Sequence, residues 1–308
     1  MILAAGLGTR LRPLSATCAK PAMPVRGVPV IAHTLTWLAK HDVTEVVVNL
    51  HHLPGTVRDA VERHRPGGVD VWYSEEDAPL GTGGGMKEVA DFLAGSDPSV
   101  VVAGDMLVEF DLTAAVARHR ERGGGYTLLV CEDDPRAEGF GTLGFDEDRC
   151  LVRISDRFDL GGETGRGLFL GIRIVSAACL GDWPEASAFE DLTDWLGPQL
   201  RAGRRHVRVD SIPAAELLWQ PVGTAEEYWT ANFEPPPLSY RDEIPGEPGA
   251  VLSEGNEVIL GDGAQIERGA SLERVVVWPG EIVGAEVHAR NGVWANGTFV
   301  ACDTETDQ

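Results

Sequence analysis

Short runs of β-branched and aliphatic residues alternate with amphipathic stretches through the first 122 residues of this 308-residue chain. The apolar runs predict strands at residues 2–5, 45–50, 69–74 and 99–103. The amphipathic stretches predict helices at residues 30–40, 56–64, 84–93 and 112–122. Strands that are apolar throughout and are separated by helices are typical of an α/β fold, in which helices cover both faces of a mostly parallel sheet.

This pattern predicts a Rossmann-like domain that binds its ligands at one edge of the sheet, beyond the carboxyl ends of the strands. Three loops follow predicted strands and should meet there: residues 6–14, 75–85 and 104–106. From residue 126 to 213 the chain is richer in strands, with apolar runs at 126–131, 151–155, 168–175 and 206–212. We expect this second part to close over the first.

The C-terminal region has a different organisation. We assign residues 1–233 to the main domain and the proline-rich residues 234–250 to a linker. Leu260, Ile266 and Leu272 then recur every six residues, which predicts a short left-handed parallel β-helix over residues 251–303, followed by a tail at 304–308. The length allows only a few coils, so we expect this unit to pack on the main domain or on another subunit of a homo-oligomer.

The formal net charge of −22 restricts the class of partner. Such a surface repels nucleic-acid phosphates and anionic membranes, so neither is an expected partner. No apolar run reaches the roughly 18 residues that a membrane span needs. The five cysteines are scattered and never spaced as CxxC, which suits a reducing cytoplasm better than a disulfide framework or a zinc site. The first predicted strand is short, which leaves open a natural start a few residues upstream.

The most specific segment is residues 3–25, LAAGLGTRLRPLSATCAKPAMPV. Gly6 and Gly8 directly follow a strand, so the backbone can turn tightly and direct N–H groups at a phosphate. A Walker A loop would continue as GK[ST], and a dinucleotide-binding loop would have a third glycine where Leu11 stands. The missing glycine also argues against a dinucleotide oxidoreductase.

Cations follow these glycines. Arg10, Arg12 and Lys20 lie within eleven residues of a very acidic chain. They predict a cradle for a triphosphate, in contrast to the alternative of a glycine turn with solvated basic residues. Two further motifs lie at the same predicted edge. LGTGGG at residues 80–85 can bring backbone N–H groups close to a planar base, unless it is only a flexible loop before a helix. Asp105 can hold Mg²⁺ between phosphates, unless it only caps a helix.

The string LAAGLGTRLRP followed by KPAMPV resembles the sugar-nucleotide pyrophosphorylases. It is most similar to the branch with mannose-1-phosphate guanylyltransferases and muramate- or heptose-phosphate nucleotidyltransferases. The likeness continues through VVVNLHHLPGTV, YSEEDAPLGTGGG, AGDMLVEFDL and VGTAEEYWTAN into the C-terminal repeat. It implies a Mg²⁺-dependent enzyme that converts a nucleoside triphosphate and a sugar 1-phosphate into a nucleotide sugar and pyrophosphate.

The resemblance also implies roles for individual residues. Arg10 would stabilise charge on the triphosphate, Lys20 would hold the phosphate of the sugar 1-phosphate, and Asp105 would bind the metal. The nucleotide would be contacted by Ala4, Ala5, Gly6, Gly8, Thr9, Gly81, Gly83 and Gly84. The sugar would be contacted by Gly141, Gly171, Glu190 and Asp191.

Two departures from the family pattern bear on activity. Relatives read WxDxGT where this chain reads WQPVGT, so Pro221 replaces a second metal-binding aspartate. Relatives often have Glu-Lys-Pro where this chain has Ser155, Asp156 and Arg157, and a guanidinium is not equivalent to an ammonium. The leading hypothesis is therefore a nucleotidyltransferase, with GTP and mannose 1-phosphate as the first choice of substrates by resemblance. The alternative is a catalytically weakened homologue that binds a nucleotide sugar and regulates a partner enzyme.

Overall fold

The computed structural model describes residues 1–138, 141–246, 250–252 and 257–302. Within them the strands of the main domain are β1 (Ile2–Leu3), β2 (Pro24–Val25), β3 (Val28–Pro29), β4 (Glu45–Leu50), β5 (Asp70–Glu75), β6 (Ser99–Ala103), β7 (Met106–Glu109), β8 (Tyr126–Cys131), β9 (Thr142–Phe145), β10 (Leu151–Ile154), β11 (Phe158–Asp159), β12 (Gly165–Val175), β13 (Val207–Ser211) and β14 (Leu218–Pro221). The α-helices are α1 (Val30–Lys40), α2 (Pro54–His64), α3 (Gly81–Glu88), α4 (Ala90–Ala94), α5 (Leu112–Glu121), α6 (Gly197–Arg201) and α7 (Ala225–Phe233).

The main sheet runs β11-β10-β9-β12-β6-β1-β4-β5, and β8 and β13 continue it beside β12. Strands β6, β1, β4 and β5 are parallel to one another, which confirms the predicted α/β fold with a parallel-rich centre. The pairs β12–β6, β12–β8, β12–β9 and β9–β10 are antiparallel. The predicted strand-rich part of the chain thus joins the same sheet and makes its other half mostly antiparallel, with β13 parallel to β8.

Strand β12 connects the two halves because it bends. Its first part pairs with β9 and its last part with β6, and the register against β8 shifts between Phe169 and Arg173. Gly171 lies at this shift with φ of 73°, in the left-handed region that favours glycine. A Cβ atom there would lie 3.1 Å from the Cβ of Ala103 at the end of β6.

Buried apolar residues explain why most predicted elements form. Val30 to Leu38 of α1 are all buried, as are all six residues of β8. The bounds of α1, β4, β6 and β8 are as predicted. The other elements differ from the predicted bounds by a few residues, and two of these differences have a clear structural cause. Residues 84–93 form two helices, α3 from Gly81 and α4 from Ala90, because Val89 leaves the helical conformation. The first strand ends at Leu3, because Ala4 N–H donates to the Asn49 side chain instead of the sheet.

The C-terminal region forms strands β15 (Ala250–Leu252), β16 (Ile259–Gly261), β17 (Gln265–Ile266), β18 (Ser271–Val277), β19 (Ile282–Val283), β20 (His288–Ala295) and β21 (Thr298–Ala301). Parallel neighbours are offset by 17 residues, as in Ile259 beside Val276 and Gln265 beside Ile282. The outer strands are antiparallel to their neighbours: β15 pairs with β16, and β21 pairs with β20. Parts of the predicted linker and repeat (residues 247–249, 253–256 and 303) and the tail (304–308) lie outside the described residues.

The proline-rich segment packs against the main domain over its described part. Tyr240 is fully buried, and its hydroxyl donates to the Val108 carbonyl at 3.0 Å. The C-terminal strands also contact α7, where Trp229 Nε1 donates to the Arg274 carbonyl at 2.9 Å. These contacts give the C-terminal strands a fixed attachment to the main domain. Each helix in the described part of the chain is too short or too polar to span a membrane.

Candidate active site

A cavity of about 570 Å³ opens at the carboxyl ends of β1, β4, β5 and β6. This is the edge at which the sequence predicts ligand binding. Ten of the predicted site residues line it: Ala4, Ala5, Gly6, Gly8, Thr9, Lys20, Gly81, Asp105, Gly171 and Glu190. Residues without a predicted role also line it, among them Asn49, Glu76 and Arg173. The structure therefore brings the glycine loop, the lysine and the aspartate to one cavity.

The glycine loop has the conformation that its sequence requires. Gly8 has φ of 60°, and a short 3₁₀ turn, Thr9–Leu11, begins directly after it. A Cβ atom on Gly8 would lie 3.1 Å from that of Ser15, whose hydroxyl donates to the Gly8 carbonyl at 2.7 Å. Gly6 has open space beside it. The loop can therefore approach a phosphate closely, and Ser15 fixes its curvature.

Lys20 and Asp105 form an ion pair inside the cavity. Lys20 Nζ lies 3.0 Å from Asp105 Oδ2, and the side chains are 13% and 36% exposed. Lys20 is held in a 3₁₀ turn, Lys20–Ala22, while Asp105 stands between β6 and β7. The two groups neutralise each other while substrates are absent. When substrates bind, the ammonium can bind a phosphate group and the carboxylate can bind a cation.

Arg10 does not line this cavity. Its side chain is exposed beside the turn after β14, where a Cβ atom on Gly223 would lie 3.4 Å from Arg10 Nη2. The predicted trio is therefore divided. Lys20 and Asp105 face each other, and Arg10 lies next to the segment that contains Pro221.

Pro221 lies where the resemblance places a second metal-binding carboxylate. It pairs with Met106, and Val222 N–H donates to the Asp105 carbonyl at 2.8 Å. The nearby Glu227 carboxylate is already bound to the N–H groups of Gly223 and Thr224, as the cap of α7. Within the described ranges, no group of three His, Cys, Asp or Glu residues could hold a metal ion. Asp105 is therefore left as the carboxylate that faces the cavity from this side.

A chain of buried hydrogen bonds connects the glycine loop with the LGTGGG segment, and sequence reasoning missed it. Asn49 Oδ1 accepts from Ala4 N–H at 2.7 Å, and Asn49 Nδ2 donates to Glu76 Oε1 at 2.7 Å. Glu76 Oε2 accepts from Leu80 N–H at 2.9 Å. Asn49 and Glu76 are 3% and 6% exposed. Their position at the carboxyl ends of the neighbouring parallel strands β4 and β5 is the signal that could have identified them.

Two of the predicted base-contacting glycines have another role. Gly83 and Gly84 N–H groups donate to the Phe189 carbonyl at 3.0 and 3.1 Å, so they are not free to bind a base. A Cβ atom on Gly83 would lie 2.4 Å from the Phe189 ring, and one on Gly84 would lie 2.3 Å from the Ser187 carbonyl oxygen. These glycines allow α3 to pack against residues 187–191. That segment leads to Glu190, whose carboxylate accepts from Thr82 N–H at 3.4 Å.

Asp191 does not face the cavity, contrary to the prediction of a sugar contact. It is 1% exposed and binds Arg173 through both oxygens, at 2.6 and 3.1 Å, and Tyr126 at 2.7 Å. Burial, together with the neighbouring Asp191, raises the pKa of Tyr126 well above its usual value. Burial opposes the charge of Arg173, but the Asp191 carboxylate outweighs it and raises the pKa of Arg173. Arg173 is therefore a permanent cation at the cavity wall.

Gly141 is exposed and does not line the cavity. Its carbonyl accepts from Phe169 N–H at 3.2 Å, and residues 139–140 before it lie outside the described residues. Arg157, which could replace the family's lysine, is exposed in a turn where its N–H donates to the Ile154 carbonyl at 3.0 Å. Neither residue contributes to the cavity wall as described.

A parallel sheet that directs a glycine loop, a lysine and an aspartate at one cavity defines an α/β nucleotide-binding protein. Residues 1–234 match the family model described as nucleotidyl transferase. The chain therefore belongs to the nucleotidyl transferase family, the sugar-nucleotide pyrophosphorylases.

Curated relatives differ in base and sugar. N-acetylmuramate alpha-1-phosphate uridylyltransferase of Neisseria meningitidis serogroup B is 42% identical over 73% of this chain and 92% of that protein. Mannose-1-phosphate guanylyltransferase of Mycobacterium tuberculosis is 28% identical over 92% of this chain and 81% of that protein. UTP--glucose-1-phosphate uridylyltransferase of Synechocystis is 28% identical over 75% of this chain, which spans 61% of that protein.

Solved structures show the same fold. HddC from Yersinia pseudotuberculosis complexed with GMP-PN matches with a TM-score of 0.62 and 25% identity, over 76% of this chain and 97% of that one. A putative glucose-1-phosphate thymidylyltransferase from Bacillus anthracis matches with a TM-score of 0.64 and 23% identity, over 80% and 98% of the two chains. The second likeness concerns the fold alone.

Proposed function

We propose that this chain transfers a nucleotidyl group from a nucleoside triphosphate to a sugar 1-phosphate. A phosphate oxygen of the sugar phosphate attacks the α-phosphorus, the bond from that phosphorus to the β-phosphate oxygen breaks, and pyrophosphate leaves. The single observation that carries this proposal is the Lys20–Asp105 pair at 3.0 Å in a cavity edged by the glycine loop. Membership of the family supports the reaction class.

The reaction needs alignment and positive charge more than a protein nucleophile, because the sugar phosphate is already a nucleophile. Loop N–H groups near Gly6 and Gly8 would hold the triphosphate. Lys20 would move from Asp105 to the phosphate of the sugar, and Arg10 would reach in from the turn at Gly223. Each of these groups neutralises charge that grows as pyrophosphate departs.

Mg²⁺ is the proposed cofactor, and Asp105 is the residue that would hold it. Mg²⁺ commonly binds proteins through one or two carboxylates, with substrate phosphates and water completing its shell. One cavity-facing carboxylate therefore fits the ion even with Pro221 in the second position. When bound, the ion would supply charge neutralisation between the phosphates.

Guanine is the proposed base and mannose 1-phosphate the proposed acceptor. Guanine presents two adjacent donors, N1–H and N2–H₂, whereas uracil presents one N–H between two carbonyls. The Glu76 carboxylate lines the cavity with Asn49 and Leu80 fixing its orientation, and its remaining lone pairs suit two donors better than one. The M. tuberculosis guanylyltransferase, which aligns with 92% of this chain, supports the same choice of base and sugar.

The direct test is pyrophosphate release from purified protein with Mg²⁺, across a panel of triphosphates and sugar 1-phosphates. We expect release with GTP and mannose 1-phosphate. Turnover that is faster with UTP would leave the reaction standing and remove the choice of base. No release with any pair would remove the proposed reaction.

The alternative of a catalytically weakened regulator rests on Pro221, which gives the metal no oxygen from its side chain. Replacing Pro221 with Asp distinguishes the two. A gain in rate of about 100-fold or more, from a wild type with negligible turnover, would favour the regulator. A modest change around an already active wild type would favour the enzyme.

The 17-residue spacing of stacked parallel strands supports the proposal of a short left-handed β-helix in the C-terminal region. Ile266 and Ile282 on β17 and β19 are 39% and 57% exposed and lie on neighbouring strands, which supports the proposal of a homo-oligomer through this unit. Sedimentation of the wild type and of an Ile282→Lys variant tests it, and a wild-type monomer would contradict it. The cysteines, which are scattered and never spaced as CxxC, support a cytoplasmic setting, which fractionation of the source cells would test.

A further inference from the structure

The tip of the β20–β21 hairpin contacts the segment that carries Lys20. Asn296 and Gly297 form a two-residue turn with φ of 55° and 67°, the left-handed pair that tight hairpins require. The Asn296 side chain accepts from Thr17 Oγ1 at 2.6 Å and donates to the Pro13 carbonyl at 3.3 Å. The C-terminal unit thus binds the main domain only a few residues before Lys20.

The hairpin tip is itself held in place. The Glu281 carboxylate accepts from Asn296 N–H at 2.8 Å and from Gly297 N–H at 2.9 Å. Glu281 belongs to the turn between β18 and β19, so two turns of the C-terminal unit support each other. The Asn296 amide is therefore presented to Pro13 and Thr17 in a fixed orientation.

The same unit supports the other end of the segment indirectly. Tyr228 on α7 donates its hydroxyl hydrogen to the Pro24 carbonyl at 2.7 Å, and Trp278 Nε1 donates to the same hydroxyl at 3.0 Å. Trp278 follows β18. Residues 13–24, which include Lys20, are thus bound by the C-terminal unit directly at Pro13 and Thr17 and indirectly, through Tyr228, at Pro24.

We propose that Asn296 is a positioning residue for the Lys20 segment, so that the C-terminal unit helps to build the active site. This inference rests on the proposed function, because the expected effect of a well-positioned Lys20 is faster turnover. The hydrogen bonds of Asn296 in the described part of the chain go to Pro13, Thr17 and Glu281, none of which lines the cavity. Asn296 acts on the path of residues 13–17, and through them on where Lys20 stands relative to Asp105.

The test compares Asn296→Gly with a matched control, Asn291→Gly. Both asparagines are in β20 or its turn and have φ near 50° (55° and 50°), so glycine keeps either backbone conformation. Only the first substitution removes an amide that reaches Pro13 and Thr17. Two readouts are measured: steady-state kinetics with the best substrate pair, and hydrogen exchange of the Ala16, Ala22 and Met23 amides, which close the turns around Lys20.

We expect Asn296→Gly to lower kcat/KM about three- to tenfold, the loss of one or two net hydrogen bonds, and to speed exchange at these amides by a similar factor. Asn291→Gly should change neither. Thr17→Val should add nothing in the Asn296→Gly background, because the two side chains share one hydrogen bond.

Exchange rates for Asn296→Gly that match the wild type would overturn the inference, whatever the activity. Equal losses of kcat/KM in both glycine variants would also overturn it, since they would indicate a general effect on the C-terminal unit. A wild type without turnover would instead count against the proposed function, and the exchange comparison would still decide the role of Asn296.

Discussion

At the scale of single residues, the ion pair between Lys20 and Asp105 connects the fold to the proposed chemistry. Asp105 has two tasks that use the same carboxylate. It neutralises Lys20 while substrates are absent, and it is the proposed ligand for Mg²⁺ when they are bound. A neutral isostere can do neither.

Asp105→Asn should therefore lower kcat by about 100-fold or more while the protein stays folded, because a pair at the surface of a cavity contributes little to stability. Lys20→Ala should have a comparable effect. Arg12→Ala in the same basic segment is the control, since Arg12 is exposed and does not line the cavity, although the sequence grouped it with Arg10 and Lys20. Kinetics and thermal melts on the three variants check this, and equal losses in all three would contradict the assignment.

His33 is a second informative residue, and it concerns stability. It is 3% exposed in α1, and neither ring nitrogen has a hydrogen-bond partner in the part of the chain that the structure describes. Burial, with smaller contributions from Arg241 and His64, lowers the pKa of His33 to about 3. The unfolded chain binds a proton near the ordinary value of 6.5. The free energy of unfolding should therefore be highest above pH 6.5 and should fall as the pH falls toward 3.

The contribution of His33 amounts to about 1.4 kcal/mol per pH unit in that range. His33→Leu should remove it and should stabilise the protein by about 1 kcal/mol at neutral pH, because a buried polar group without a partner is costly. Urea unfolding of both proteins at pH 7 and pH 5 measures the difference. A variant that loses stability at pH 5 as steeply as the wild type would show that His33 is not the group that titrates.

At the scale of elements, glycines allow the short helix α3 to pack closely against residues 187–191. A Cβ atom at Gly83 would overlap the Phe189 ring at 2.4 Å. By contrast, Gly55 in α2 has no heavy atom within 4 Å of where its Cβ would be.

Gly83→Ala should therefore destabilise the protein by about 1–3 kcal/mol and displace Glu190. Gly55→Ala should be neutral or stabilising by up to about 1 kcal/mol, because alanine favours a helix. Thermal unfolding and the KM for the sugar phosphate separate the two variants. If Gly83→Ala left both quantities unchanged, residues 187–191 would not depend on this contact.

The sequence was most informative about elements whose signal is local. Apolar runs predicted β4, β6 and β8, and the helical pattern predicted α1, each with its observed bounds. The sequence was less informative where a residue that is distant along the chain determines the local structure. The end of β1 depends on the Asn49 side chain, and Asp191 turns away from the cavity because Arg173 and Tyr126 bind it. Neither partner is adjacent in sequence, so no local pattern could reveal these contacts.

At the scale of the whole molecule, a strongly acidic protein is proposed to bind two anionic substrates. The formal net charge is −22, yet Lys20 and Arg173 line the cavity and Arg10 lies beside the turn at Gly223. Local cations and backbone N–H groups therefore have to outweigh an unfavourable general field. Asp191 largely neutralises the charge of Arg173. In the described cavity wall, Lys20 is therefore the cation whose partner carboxylate, Asp105, could bind a metal ion instead.

The buried ion pair between Arg173 and Asp191 also connects the main sheet with the segment beside the cavity. Arg173 is on β12 and Asp191 begins the π-helical turn Asp191–Leu196, with side chains 6% and 2% exposed. Asp191→Ala should destabilise the protein by about 3–5 kcal/mol, because it leaves a buried guanidinium without its partner. Chemical denaturation measures this. A loss under about 1 kcal/mol would mean that water or another group takes the place of the carboxylate.

The measurement that tests the central claim most directly follows the α-phosphate. Protein is incubated with Mg²⁺, GTP labelled at the α-phosphorus and mannose 1-phosphate, and the products are separated, with the Asp105→Asn variant in parallel. We expect the label to appear in a nucleotide sugar, unlabelled pyrophosphate to form in equal amount, and the variant to form little of either. The proposed reaction would be contradicted if the label stayed in the triphosphate with this pair and with every other pair of triphosphate and sugar phosphate. Label released as free GMP would also contradict it.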